Sequence, residues 1–156
     1  MRSFVFLFLA SVLIGGDGCV APRTVSDSAE SLAAATDPAA LTAFIETPGA
    51  AEALLSRLTG TRADDPIDLA RLSALSQRVL CTTCPKAPRN RWRWSAALVA
   101  ACETTREAKA AELFVRELAV CGHREEAEAV RRTGEKFPSL ASTCNQIAAH
   151  LKSREE

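Results

Sequence analysis

From Ser26 to Leu151 the apolar residues recur at intervals of three and four and never settle into alternation. That spacing gathers them on one face of a helix, whereas a half-buried strand needs a period of two. Leu69, Leu72, Leu75 and Val79 make one such stripe. Ala108, Ala111, Val115 and Leu118, broadened by Phe114, make another, and Trp94, Leu98 and Cys102 a third. Ala127, Val130, Gly134 and Phe137 precede a last stripe of Leu140, Cys144, Ile147 and Leu151. The chain is predicted to be all-α, built of antiparallel helical hairpins. Composition agrees: aromatics are 5% and tyrosine is absent, so alanine and leucine must fill the core. Close-packed helices suit such residues better than sheets, which favour β-branched and aromatic side chains.

Turn signals divide the stripes. Asp37-Pro38, Thr47-Pro48 and Asp65-Pro66 each pair a capping side chain with a proline, a combination that opens helices. Gly60 follows Leu58 where a helix would stop, and Gly122 marks another stop. Two prolines within Cys81-Thr-Thr-Cys84-Pro-Lys-Ala-Pro88 interrupt the pattern, which places the next helix start near Trp92. Pro138-Ser139 reads as a turn and cap before the last helix.

The first eighteen residues have a different character. Phe4 to Ile14 is an apolar run of eleven residues behind Arg2. It is too short to span a bilayer, which takes roughly 20 residues, and it has the length of the apolar core of a secretory signal. Gly15, Gly16, Asp17 and Gly18 then lead into Cys19. This junction resembles the lipobox of bacterial lipoproteins, with Gly16 standing where that family favours leucine. The resemblance implies cleavage before Cys19, a diacylglycerol on its thiol and a membrane partnership through that anchor. Val20, in the place where an aspartate would imply inner-membrane retention, implies a periplasm-facing protein anchored in the outer membrane. The expected organisation is a signal peptide over 1–18, a lipidated cysteine and tether over 19–30, a helical domain over 31–152 and a frayed tail over 153–156.

Gly122-His-Arg-Glu-Glu-Ala127, then Gly134 and Phe137-Pro138, resembles one unit of the tetratricopeptide repeat family. Small residues at Ala127 and Gly134 stand where two antiparallel helices must approach closely. The resemblance runs from Thr105 to Leu151 and implies a degenerate array that grips a partner segment in a groove. The alternative architecture is a short irregular helical bundle.

Six cysteines remain to be placed: Cys19, Cys81, Cys84, Cys102, Cys121 and Cys144. In an exported chain they are disulfide candidates. If helices from Trp92 onward run up and down, Cys102 and Cys144 share one end and are expected to bridge, and Cys121 lies at the other end, where Cys84 or Cys81 is its expected partner. Two rival readings use the same residues. Cys81, Cys84, Cys121 and His123 have the donor types of a zinc site, and Cys81-x-x-Cys84 is a redox-type spacing. Arg91 and Trp92, within an alternation of arginines and tryptophans from Arg89 to Trp94, are partner-binding candidates through cation–π and interfacial contact. Asp64 and Asp65 read as a helix cap rather than a catalytic dyad. With only His123 and His150 available, no nucleophile–histidine constellation and no glycine-rich phosphate loop is recognisable. Net charge is zero from 19 basic and 19 acidic residues, which disfavours a general nucleic-acid binder. The sequence therefore points to an exported, lipid-anchored helical module that binds a protein partner, with no cofactor and no catalysis. The alternatives are a periplasmic redox or zinc protein using the Cys81–Cys84 loop, and a purely structural envelope lipoprotein.

Overall fold

Asp37 ends one helix and opens the next. Its carboxylate accepts the Ala40 amide at 2.8 Å, and Pro38 supplies a preset φ at the first helical position. Asp65 repeats the arrangement, accepting from the Ile67 and Asp68 amides ahead of Pro66. These caps belong to a computed structural model that describes residues 25–59, 64–79 and 87–154. The signal segment, Cys19, Gly60, Cys81 and Cys84 lie outside the described residues.

Eight α-helices and no strand are present among the described residues: α1 (Val25–Thr36), α2 (Pro38–Glu46), α3 (Ala50–Leu58), α4 (Pro66–Arg78), α5 (Ala87–Thr104), α6 (Ala108–Cys121), α7 (Ala127–Lys136) and α8 (Ala141–Lys152). The chain is all-α, as the periodicity predicts. Short 3₁₀ turns at Arg124–Glu126 and Pro138–Leu140 lead into α7 and α8. No described helix is long and apolar enough to cross a membrane.

Three hairpins, α3/α4, α5/α6 and α7/α8, stack in chain order. α5 packs on α3 and α7, and α6 packs on α4 and α8, so odd and even helices form two layers. α1 and α2 close the stack against α4. The relative directions of α5, α6 and α7 follow from contacts at their ends. The start of α5 meets the end of α6 through Arg91 and Cys121, and the end of α7 meets the end of α5 through Lys136 and Glu103.

The core runs continuously between the layers, through Leu54, Leu58, Leu75, Trp94, Leu98, Phe114, Leu118, Val130 and Leu151. Trp94 is fully buried and donates its indole N–H to Ser76 Oγ at 2.9 Å. The bond satisfies a polar group that burial would otherwise leave costly. α7 and α8 approach most closely at Gly134, where an added Cβ would lie 2.8 Å from Cys144 Cβ. The small residue expected at a helix crossing therefore has a measurable reason.

Four sequence expectations need correction. Thr47 does not open α3: it closes α2, with its hydroxyl donating to the Ala43 carbonyl, and α3 starts after Gly49, whose φ is +76°. α5 begins at Ala87, five residues before Trp92, because a proline at the second position of a helix has no amide to lose. α1 starts at Val25, one residue before the helical periodicity that begins at Ser26, so its first turns overlap the 19–30 tether. Ser153 and Arg154 are not frayed, since Arg154 lies against the end of α6.

Candidate functional site

α5 is the central helix of the odd layer, and its two flanks and outer face carry the features that bear on function. At 100° per residue, Arg89, Trp92, Arg93, Ala96 and Ala100 fall within roughly a 100° arc of this helix. All but Arg93, which is half-buried, are exposed.

Toward its C-terminal half this face opens into a shallow cleft against α3, of about 260 Å³. Leu55, Ser56 and Thr59 line one wall and Ala97, Ala100, Ala101 and Thr104 the other, with Glu52 also in the lining. The cleft exists because α5 presents alanines at three- and four-residue spacing. Short side chains there leave room between two helices that longer ones would fill. That signal was readable as alanine spacing, but alanine spacing alone marks a close helix crossing equally well.

Toward its N-terminal half the same face is basic and aromatic. Trp92 is 42% exposed, and its ring stacks on the His123 ring at 3.9 Å between centroids and 6° between planes. His123 is held in place by a capping box in which the Glu126 carboxylate accepts the His123 backbone N–H. Ser95 Oγ, from the buried side of α5, donates to the other Glu126 oxygen at 2.9 Å. The α6–α7 corner is thereby tied to α5.

Arg91 differs from its neighbours Arg89 and Arg93. Its Nε donates to the Cys121 carbonyl at 2.7 Å and its Nη2 to the Gly122 carbonyl at 2.8 Å. Arg154 comes from beyond α8 and donates to the Gly122 and Ala119 carbonyls, both at 2.6 Å. Two guanidinium groups therefore satisfy the free carbonyls at the end of α6, where the helix dipole is negative. Burial lowers the Arg154 pKa, and the nearby Arg91 charge adds to the effect. Of the two partner-binding candidates, Arg91 is occupied in capping, while Trp92 keeps an open face. Nothing in the local sequence marks Arg154 for its part.

The described cysteines are free thiols: Cys102, Cys121 and Cys144, all buried. Cys102 and Cys144 flank the Thr133–Gly134 turn of α7, with the Thr133 hydroxyl donating to the Ala129 carbonyl and Gly134 packed on Cys144. Cys121 lies at the other end of the stack, where its Sγ donates to the Glu117 carbonyl. The end-to-end placement follows the expected up-and-down order, but the expected Cys102–Cys144 bridge is not formed, both thiols being free, and no disulfide joins described residues. Burial pushes the Cys102 and Cys121 thiols up to about 12. Of the four zinc-type donors, the structure describes Cys121 and His123, one enclosed in the core and one stacked on Trp92. Among the described residues no three histidine, cysteine or carboxylate side chains gather as a metal site would require. Asp65 caps α4, and Asp64 pairs with Lys109. His150 lies 3.3 Å from Arg154 Nη2.

Comparison with family models, with curated proteins and with solved structures finds no match.

Proposed function

We propose that the chain is an exported helical interaction module, lipid-anchored at Cys19 in the bacterial cell envelope, that binds a protein segment along the outer face of α5 and performs no catalysis. The observation that carries this reading is the cleft between α3 and α5, an apolar notch open to solvent on the central helix of a stacked-hairpin array. Arrays of this kind, including the tetratricopeptide type the C-terminal half resembles, build extended binding faces from one layer of helices. The walls of the notch are alanine, leucine and short hydroxyl side chains, which fit an apolar side chain inserted from a partner.

Site-specific photo-crosslinking in intact cells tests the reading. A photoreactive side chain at Ala100 is expected to give a discrete protein adduct, and one at Gln146, exposed on the even layer, is not. Ser56→Trp, which fills the notch, should abolish the Ala100 adduct without changing the melting temperature. Equal labelling at both positions, or no adduct at Ala100, would overturn it.

A further inference from the structure

We propose that the corner of the molecule formed by Arg89, Trp92, Arg93 and Arg124 docks on an anionic phospholipid surface. Three arginines surround one exposed tryptophan there. Arg89 and Arg93 share the outer face of α5 with Trp92, and Arg124 follows His123, whose ring is stacked on Trp92. Arg89 and Arg124 are exposed, and none of the three arginines makes an ion pair or a side-chain hydrogen bond with a described residue.

The charge around them is one-sided. Arg91 and Arg154, bound to the α6 carbonyls, stand at the same end of the stack. The acidic groups close to Arg124 in sequence are Glu125, which is exposed, Glu128, which pairs with Arg131, and Glu126, which is buried and spent on the His123 amide and Ser95. At the opposite end Glu103 pairs with Arg132 and Asp64 with Lys109, and the exposed Arg106 stands beside the exposed Glu107. A net charge of zero thus conceals a cationic corner.

The chemistry of that corner fits lipid phosphate better than other anions. Guanidinium forks bind phosphate oxygens in pairs. Tryptophan favours the headgroup level of a bilayer, where its ring is half in apolar surroundings and its N–H is wet. A nucleic-acid surface would call for a longer basic track than three arginines around one ring. Each basic residue close to an anionic membrane raises partitioning roughly fivefold. The corner is separate from the α3–α5 cleft, and its docking does not require the lipid on Cys19.

The test uses the full chain carrying Cys19→Ser, which removes the acyl anchor. It is sedimented with vesicles of phosphatidylcholine alone or with one-quarter phosphatidylglycerol. The leader, with Arg2 and the N-terminal amine, adds a phosphatidylglycerol preference of its own, so the gain that reads the corner is the part that differs between this chain and its arginine variants. Phosphatidylglycerol is expected to raise binding at least tenfold at low salt, and 0.5 M NaCl to remove the gain. Arg89→Ala/Arg93→Ala/Arg124→Ala should lose it, and Trp92→Ala should reduce it severalfold. Because Arg93 is half-buried, Arg89→Glu/Arg124→Glu serves as the second variant if the triple variant melts early. Equal binding to both vesicles, or a gain that survives both arginine variants, overturns the proposal. So does arginine-dependent capture of a single-stranded RNA oligonucleotide without a phosphatidylglycerol effect.

Discussion

Gly134 is the residue on which the tightest helix pair depends. A methyl group at this position would meet Cys144 Cβ at 2.8 Å and the Ala141 backbone at 3.3 Å, and neither is the free end of a flexible side chain. Gly134→Ala should therefore destabilise the fold by about 1–3 kcal/mol, the range for overpacked cores, despite alanine's better helix propensity. Urea denaturation followed by circular dichroism measures the shift, and a gain in stability would show that α7 and α8 can separate at no cost. The buried thiols supply a second residue-scale prediction. Cys102 and Cys121 are pushed from 9.0 up to about 12 by burial, so the unfolded chain loses these protons first. Their contribution is whole below about pH 9 and is lost as pH rises toward 12. Urea midpoints should thus fall between pH 9 and 11. At pH 8 iodoacetamide should leave both residues unmodified in the folded protein and alkylate them in guanidinium chloride. Rapid native alkylation of either would contradict the burial described above.

Helix starts and stops show what one sequence discloses and what it withholds. The α4 cap was legible, because Asp65 and Pro66 act only on amides of their own first turn. Thr47-Pro48 has the same form but failed as a start signal, since the hydroxyl had an equally local use in closing α2. Pro88 was read as a barrier although α5 passes through it in its first turn. The buried stripes of α6, α7 and α8 were all legible, because periodicity alone decides which face is apolar. The site was harder to read. The Trp92–His123 stack joins residues 31 positions apart in sequence, and the α3–α5 cleft depends on which helices become neighbours. Arg154 is the clearest long-range case, reaching the end of α6 from beyond α8. Arg154→Ala should loosen that junction by on the order of 1 kcal/mol, the scale of a cation at a helix C-terminus. Hydrogen exchange should then quicken in the last turns of α6 and α8 and stay unchanged in α3 and α4. Uniform quickening would mean that the contact supports the whole fold rather than one joint.

At the scale of the whole molecule the two features of the α5 face lie along one helix, the cationic corner at its beginning and the apolar cleft further on. On the proposed reading an acyl chain on Cys19 holds the domain at a membrane and leaves the cleft for a partner. Intact cells supplied with labelled palmitate should incorporate it into the wild-type chain and not into Cys19→Ala. Absence of label from the wild type would remove the anchor and return Cys19 to the pool of thiols. The stacking order also bears on how the chain reaches its final form. From α5 onward, helices pack chiefly on those one or two places away in the chain. Such packing keeps contact order low, and helical proteins of that type fold in microseconds to milliseconds. On the proposed reading of export, a chain threaded through a translocation pore can therefore close each hairpin as it emerges, without waiting for its far end.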